Sequence, residues 1–317
     1  SVSLSGDGTV VAIGGIEYDD YGTSDVGIVK IYKYSSNAWT TWGFNQTYGE
    51  AGVVSRGGGE NEHAGRSISL SDDGTVIAIG CPGWGYGRGI VKIYKVNYDI
   101  AASDYLWSEF GQTAYWPTGR SGFSGNNGDR LGYSVSLSNN GQYLAVGALG
   151  PENWNLMNPP TPNRGYVKIY QISPSSGSLQ DISYPNGIVD DTGIDNYGIS
   201  VSLNGDATST QISVAIGSYN NNGNGHVKIY QYDGNYSWTQ LGSIDGEVAG
   251  DFGDLALSSH SGMSVSLSDD GTTIAIGASF NDGNGDNSGH VRAYKLNFGG
   301  LRIFHIPEGT DTTTTRY

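Results

Sequence analysis

Hydrophobic and polar positions alternate along short segments of the chain. In the opening stretch SVSLS, Val2 and Leu4 fall on one face and the small serines on the other, which is typical of a half-buried β-strand. A second apolar run, VVAIG from position 10, and a third, VKIYKY from position 29, follow it. Glycine and β-branched residues, which disfavour helices, are frequent throughout. The pattern therefore predicts short strands joined by tight turns, and no helix.

This pattern repeats five times, with a period of about 65 residues. The first strand and the turn after it are SVSLSGDG at 1, SISLSDDG at 67, SVSLSNNG at 134, SVSLNGDA at 200 and SVSLSDDG at 264. Asp or Asn before Gly in these turns is typical of a hairpin between the first two strands. A weaker fourth segment carries large apolar residues at matching positions, namely Trp39, Trp107, Leu179, Trp238 and Leu301. The pattern therefore predicts four strands in each unit.

The repeats divide the chain into units near 1–65, 66–132, 133–198, 199–262 and 263–306, followed by a polar, threonine-rich tail or linker at 307–317. Each unit buries its apolar faces only against its neighbours, and four-stranded units repeated about an axis make a propeller. We predict one all-β domain over 1–306, a five-bladed β-propeller with four antiparallel strands per blade. The segment Leu301–Ile306 should be the outer strand of the last blade.

Composition narrows the range of partners. The 31 acidic and 16 basic residues give a net charge of −15, which disfavours binding to nucleic acid or to an anionic membrane surface. No segment approaches the roughly 18 uninterrupted apolar residues of a membrane span. Cys81 is the only cysteine, so the chain has no disulfide framework and its compartment stays open.

The order of motifs resembles a known family. SVSLS, a short turn, AIGA or AIGCP, a glycine-rich loop, VKIY and then a tryptophan followed by LG, as in SWTQLGSIDGEVAGDFG, resemble the FG-GAP repeat of integrin α-subunit propellers. The chain looks closest to the secreted FG-GAP-like repeat proteins of marine microbes and algae. The resemblance covers roughly 1–306 and implies a propeller that acts as a binding or scaffolding surface outside the cell.

The chain departs from that family in two respects. Integrin-type repeats often carry a calcium loop between the first and second strands, but the turns here are too short to wrap a calcium ion. The integrin propeller has seven units, whereas this chain has five and opens directly on a first strand. We therefore expect the chain to be part of a longer polypeptide.

One loop suits a metal ion. Asp282, Asn284 and Asp286 alternate with glycine between the second and third runs of the fifth unit, and Ca²⁺ takes oxygen ligands from alternate positions of such loops. The equivalent loops differ in acid content, which argues against a metal in every blade. The alternatives are a Ca²⁺ site here and a solvated Asn/Asp/Gly turn.

Catalytic residues are not evident. The adjacent acids Asp72–Asp73 and Asp269–Asp270 belong to hairpin turns, and nothing pairs them across a cleft as glycoside hydrolysis requires. His226 and His290 share one repeat position that other units fill with Ile or Tyr, so that position is structural. We predict that the chain is not an enzyme; a propeller glycosidase is the enzymatic alternative.

Aromatic residues in variable loops are the candidate binding residues. Trp84, Tyr86 and Trp154 lie between the second and third runs, where Trp and Tyr stack on sugars or anchor protein partners. Trp39, Trp107 and Trp238 recur with the period and are expected in the core between blades. Asn45 and Asn235 begin glycosylation sequons, which matter only if the chain is secreted.

These observations favour a non-catalytic, extracellular structural or adhesive module. Its surface, rich in Gly, Ser, Asn and Tyr, offers hydrogen bonds and aromatic contact with little charge steering. We expect it to act as a scaffold for protein partners, or for copies of itself, in a larger surface assembly. A glycan-binding, lectin-like propeller is the alternative.

Overall fold

The computed structural model describes residues 1–45, 51–57, 59–110, 123–125, 128–150, 165–183, 187–189, 196–205, 212–218, 225–245, 264–279, 289–296 and 304–305. These residues form five small antiparallel sheets, one per sequence repeat, arranged as a five-bladed β-propeller. The predicted fold class is confirmed. In every blade the first three strands are consecutive in the chain and neighbours in the sheet.

The first three blades have an outer position divided into two short strands, both paired with the third strand of the blade. Blade 1 contains β1 (Val2–Leu4), β2 (Val10–Gly15), β3 (Ile28–Ser35), β4 (Ala38–Thr41) and β5 (Val53–Arg56). Blade 2 contains β6 (Ser67–Leu70), β7 (Val76–Cys81), β8 (Ile90–Asp99), β9 (Asp104–Glu109) and β10 (Phe123–Ser124). Blade 3 contains β11 (Ser134–Leu137), β12 (Tyr143–Ala148), β13 (Tyr166–Ile172), β14 (Leu179–Asp181) and β15 (Ile188–Val189).

In the described residues the last two blades each have four strands. Blade 4 contains β16 (Ser200–Leu203), β17 (Ser213–Ser218), β18 (His226–Tyr232) and β19 (Trp238–Asp245). Blade 5 contains β20 (Ser264–Leu267), β21 (Thr273–Ala278), β22 (His290–Lys295) and β23 (Phe304–His305). The outer strand β23 lies within the predicted segment 301–306. A four-residue turn, α1 (Trp84–Gly87), lies in the loop between β7 and β8, and its residues Gly85 and Tyr86 have left-handed rather than α-helical backbone angles.

The hydrophobic core consists of four clusters, each lying between consecutive blades. Between blades 1 and 2, for example, Val29 and Ile31 of β3 pack with Ile77 and Ile79 of β7, and all four side chains are buried. The other three clusters repeat this arrangement between blades 2 and 3, 3 and 4, and 4 and 5. Each blade is therefore stabilised by its neighbours rather than by a core of its own.

The periodic tryptophans are not equivalent in the structure. Trp107 is buried between blades 1 and 2, in edge-to-face contact with Trp42 at 5.5 Å between ring centroids, and its indole N–H donates to the Trp42 carbonyl at 3.2 Å. Trp238 is partly buried and donates to the Ile182 carbonyl at 3.1 Å. Trp39 is exposed on β4, so the prediction that it lies in the core is wrong. Trp107 and Trp238 therefore contribute to the contacts between blades, and Trp39 does not.

Glycine allows the blades to approach closely at the inner strands. A Cβ atom on Gly14 would overlap the Gly65 carbonyl oxygen at the start of blade 2, whereas a Cβ on Gly15 would meet only Ile28 Cγ2, at 3.6 Å. Equivalent overlaps face Gly80 and Gly147 in the next two blades. In blades 1 to 3 the close approach therefore occurs at one glycine of the second strand.

We predict that Gly14→Ala destabilises the protein and that Gly15→Ala does not. The methyl group at position 14 must push the linker of blade 2 away, which should cost roughly 1–3 kcal/mol. At position 15 the change should stay within about 1 kcal/mol. Urea unfolding midpoints of the two variants would test this, and equal shifts would show that the approach of the blades does not depend on Gly14.

Candidate binding face

The antiparallel order of the strands defines two faces of the propeller. Loops from the second to the third strand, and linkers to the next blade, lie at one end of each blade, and we name this end the loop face. Turns from the first to the second strand, and hairpins from the third strand to the fourth, lie at the opposite end, the turn face. The described binding candidates Trp84 and Tyr86 lie in a loop of the loop face.

In blade 1 the loop after β2 holds Tyr21 at its tip. Asp20 and Thr23 exchange two backbone hydrogen bonds, at 3.0 and 2.9 Å, so that Tyr21 and Gly22 form a tight turn between them. The backbone of Tyr21 has φ of 46°, in the left-handed region, and its side chain is fully exposed. The loop thus presents one tyrosine ring to solvent.

The same loop is anchored to the linker that leads to blade 2. The backbone N–H of His63 donates to the Asp25 carbonyl, and that of Ala64 to the Val26 carbonyl, both at 3.1 Å. Within the loop, the Asp25 N–H donates to the Asp19 carboxylate at 2.9 Å. These bonds fix the base of the loop, which limits the conformations open to its tip.

In blade 2 the loop after β7 holds Trp84 and Tyr86. The turn α1 is closed by the Gly89 N–H, which donates to the Trp84 carbonyl at 3.0 Å. Trp84 is partly buried against the core between blades 1 and 2, whereas Tyr86 is fully exposed with φ of 65°. The Gly83 N–H donates to the Glu62 carbonyl at 3.2 Å and joins the loop to the preceding linker.

Tyr21 and Tyr86 therefore occupy equivalent loops of neighbouring blades and share two unusual features. Each adopts a left-handed backbone, which is uncommon for a residue other than glycine. Each also exposes its whole ring to water, where it adds nothing to the core. Sequence analysis identified Tyr86 but not Tyr21, although both are followed by glycine in the second-to-third-strand loop. We regard this pair as the candidate binding site.

The other predicted site residues have different outcomes. Trp84 supports the loop from beneath rather than facing solvent. Trp154, Asp282, Asn284 and Asp286 lie outside the described residues, so the second binding residue and the calcium site stay predictions. Within the part of the chain that the structure describes, no three His, Cys, Asp or Glu side chains are grouped to hold a metal ion.

The two predicted glycosylation sites differ in exposure. Asn235 is exposed in the hairpin between β18 and β19 on the turn face, where its N–H donates to Asp233 at 2.8 Å. Asn45 is buried, so its side chain would have to turn outward before an oligosaccharide could be attached. Attachment of an oligosaccharide is therefore less hindered at Asn235 than at Asn45.

Two buried titratable groups, His226 and Cys81, are inaccessible to solvent. His226 is completely buried in β18 and lies 6.1 Å from the ring of Tyr197. Burial raises the pKa of the Cys81 thiol to about 11, so the reactive thiolate is not formed near neutral pH. Neither group has the accessibility that a nucleophile needs.

The second acid of each predicted pair, Asp73 and Asp270, is hydrogen-bonded within its turn. Asp73 accepts hydrogen bonds from the Ser71 hydroxyl at 2.6 Å and from the Thr75 backbone N–H at 2.9 Å. Partial burial of Asp73 opposes its ionisation, but these hydrogen bonds and the charge of Lys95 outweigh it and lower its pKa. The same contacts recur in other blades at Asp7, Asn140 and Asp270.

Asp72, the other acid of this turn, behaves differently. Partial loss of hydration around its carboxylate raises its pKa, and so do the negative charges of Asp269 and Asp73. Asp269 holds the same turn position in blade 5, so two repeats direct a carboxylate toward a common region of the turn face. Both side chains are exposed to solvent, and an open surface lacks the enclosure that favours glycoside hydrolysis.

Aromatic pairs on the outer hairpins form a second set of exposed or partly buried rings, which sequence analysis did not identify as a set. The rings lie directly across the hairpin from each other, with centroid distances of 5.3, 5.4 and 5.1 Å, in the pairs Tyr34–Trp39, Tyr98–Tyr105 and Tyr232–Trp238. A shallow groove beside Tyr98 is lined by Ile100 and Leu106. Cross-strand stacking stabilises these hairpins and accounts for the rings without a ligand.

Comparison with known proteins adds a loose likeness of fold. Neither a protein-family model nor a curated protein matches the chain in sequence. A periplasmic gluconolactonase of Pseudomonas aeruginosa is 17% identical with a TM-score of 0.49, and the match covers 98% of this chain and 72% of that one. A protein of unknown function from Dyadobacter fermentans is 13% identical with a TM-score of 0.49, over 96% of this chain and 81% of that one.

TolB from Acinetobacter baumannii is 13% identical with a TM-score of 0.36, and the match covers 88% of this chain. This chain spans about half, 48%, of the length of that TolB. Identities this low say nothing about the activity of the chain.

Among the described residues, no helix has the length and apolar character needed to cross a bilayer.

We predict that Asp73→Asn reduces the loss of stability in acid. A lowered pKa means that the ionised Asp73 stabilises the folded state above its unfolded pKa, about 3.9, and that this contribution is lost as the pH falls through the folded pKa. An asparagine accepts the same hydrogen bonds without titrating, as Asn140 does in blade 3. The unfolding free energy of the variant should therefore fall less than that of the original chain between about pH 4 and pH 2.

The reverse change, Asn140→Asp, is the matched control. It introduces a titrating acceptor into an equivalent turn and should increase the loss of stability over the same pH range. Thermal unfolding of the three proteins as a function of pH would measure the difference. Parallel curves would show that these turn carboxylates contribute nothing to acid stability.

Proposed function

We propose that this chain is a non-catalytic propeller module that binds a macromolecular partner through its loop face and serves as a structural or adhesive scaffold outside the cell. The observation that carries the proposal is the pair of fully exposed tyrosines, Tyr21 and Tyr86, on neighbouring loops. A tyrosine ring offers a large contact area and a hydroxyl group for few rotatable bonds, which suits a binding surface.

The rigidity of the loops supports the same conclusion. Backbone hydrogen bonds join both loops to the linker between blades 1 and 2. The linker's His63 N–H donates to the Asp25 carbonyl of the first loop, and the second loop's Gly83 N–H donates to the Glu62 carbonyl of the linker. Both tyrosines have a left-handed backbone that is held in place by these surroundings. Because the rings are already positioned, a partner does not have to order the loops on binding, and less entropy is lost.

The extracellular location rests on the sequence. The FG-GAP-like motif order and the low proportion of charged residues, 15%, favour a secreted surface that relies on hydrogen bonds and aromatic contact. Ca²⁺ held by Asp282, Asn284 and Asp286 would add a metal site to this module.

A glycan is the alternative partner, because exposed tyrosine rings stack on the apolar faces of sugars. A glycan array separates the two possibilities. Discrete oligosaccharide binding that disappears in Tyr21→Ala and Tyr86→Ala would identify a lectin, whereas a protein-binding scaffold should give no discrete glycan signal. Hydrolysis of an array sugar that disappears in Asp72→Asn would instead identify a glycosidase.

We predict that removing the loop-face rings weakens adhesion. Beads coated with the chain should attach to the surface of the source cells, and Tyr21→Ala with Tyr86→Ala should reduce attachment by on the order of tenfold or more, since an aromatic residue at the centre of an interface often contributes about 2 kcal/mol. The rings are fully exposed, so the melting temperature should not change.

Tyr236→Ala is the control, because Tyr236 is an exposed tyrosine on the turn face. It should leave attachment unchanged. Equal attachment by the double variant and the original chain would exclude the tyrosine pair as the binding site. Loss of attachment in Tyr236→Ala alone would transfer the site to the turn face.

A further inference from the structure

The four interfaces between consecutive blades use one repeated hydrogen bond. A leucine N–H on the first strand of each blade donates to a serine hydroxyl on the first strand of the blade before it. The pairs are Leu70–Ser3 at 3.0 Å, Leu137–Ser69 at 2.9 Å, Leu203–Ser136 at 3.0 Å and Leu267–Ser202 at 2.9 Å. We name the side of a blade that provides the leucine its back face and the side that provides the serine its front face.

Apolar side chains on both faces are buried by the neighbouring blade. On the back faces of blades 2 to 5 the first-strand leucine is 5–8% exposed, and the equivalent second-strand residue is 0% exposed, at Ile79, Val146, Ile216 and Ile276. On the front faces of blades 1 to 4 the third-strand valine is 0% exposed, at Val29, Val91, Val167 and Val227. A back face and a front face are thus complementary in shape, polarity and hydrogen bonding.

The back face of blade 1 lacks this cover, so the described residues do not close the propeller between blades 5 and 1. Val2, Leu4 and Ile13 occupy the equivalent positions and are 67%, 56% and 46% exposed. The repeated hydrogen bond would join Leu4 to Ser266 of blade 5, and no such bond is present between these two described residues.

The front face of blade 5 is uncovered in the same way. Val291 is 69% exposed, although its four equivalents are completely buried, and Ser266 is exposed as well. One molecule therefore presents both halves of an interface that it forms four times internally.

We propose that these two faces bind each other between copies of the chain, head to tail, with the front face of blade 5 of one copy on the back face of blade 1 of the next. The junction would bury Val2, Leu4 and Ile13 against Val291 and would restore the Leu4–Ser266 hydrogen bond. Such a contact is heterologous, so its repetition gives a closed ring or a filament. This inference goes beyond the proposed function and uses surfaces distinct from the loop face.

Charge sets the conditions for the experiment. Each copy carries a net charge of −15, so repulsion opposes association at low ionic strength. The Debye length falls to about 8 Å at 0.15 M salt, whereas contact between apolar side chains is not screened. Association should therefore strengthen as salt is added.

Sedimentation of the 317-residue chain over a wide concentration range tests the proposal. The original chain should form species larger than a monomer as its concentration rises. Leu4→Glu, on the back face of blade 1, and Val291→Glu, on the front face of blade 5, should each weaken association by on the order of a hundredfold, because each buries an unpaired charge in the junction. Both positions are exposed, so both variants should fold.

Mixing the two variants gives the decisive result. The Leu4→Glu protein keeps an intact front face on blade 5, and the Val291→Glu protein keeps an intact back face on blade 1. An equimolar mixture should form a one-to-one dimer and nothing larger, although each variant alone is a monomer. Ile100→Glu, at an 85% exposed position on an outer hairpin, should associate like the original chain.

Two outcomes would overturn the proposal. A chain that stays monomeric at every concentration and salt level would show that the faces do not bind between copies, including the case in which blade 5 closes on blade 1 of the same molecule. A mixture of folded variants that stays monomeric would exclude the head-to-tail junction. Neither result bears on the tyrosine pair, whose test is cell attachment.

Discussion

The fold depends on how the inner strand of each blade satisfies its exposed edge. The first strand has a partner on one side only, so the leucine N–H on its free edge cannot bond within the sheet. A serine hydroxyl from the preceding blade accepts that hydrogen bond at all four interfaces. An unpaired strand edge is costly when buried and prone to misassociation when exposed. The serine thus converts the edge into a specific contact between blades.

The small residues around this contact also affect how closely neighbouring blades pack. Glycines such as Gly14 let the backbones approach at the inner strands, and aromatic pairs fill the outer hairpins, where the blades diverge. The linker between blades 1 and 2 consequently runs beneath the loops of both and bonds to each of them. The same packing that joins the blades therefore positions Tyr21 and Tyr86.

The proposed binding and the proposed assembly would use separate parts of the molecule. The tyrosine pair lies on the loop face, whereas the uncovered apolar residues Val2, Leu4 and Val291 lie on the back face of blade 1 and the front face of blade 5. A row of propellers joined head to tail would keep every loop face accessible and would multiply weak contacts with a partner, since linked sites raise effective concentration. This arrangement suits a structural surface module.

The sequence by itself determined the number of blades, the strand order and the turns, because these follow from local alternation, from Asp–Gly and Asn–Gly chemistry and from a repeat that each unit carries in full. It also identified Tyr86. It could not show that Trp39 is exposed while Trp107 is buried, since the two occupy the same repeat position and differ only in their neighbours across the blade. Nor could it pair Tyr21 with Tyr86 or show that Leu4 is uncovered, because exposure depends on which blade lies opposite, and only the tertiary structure decides that.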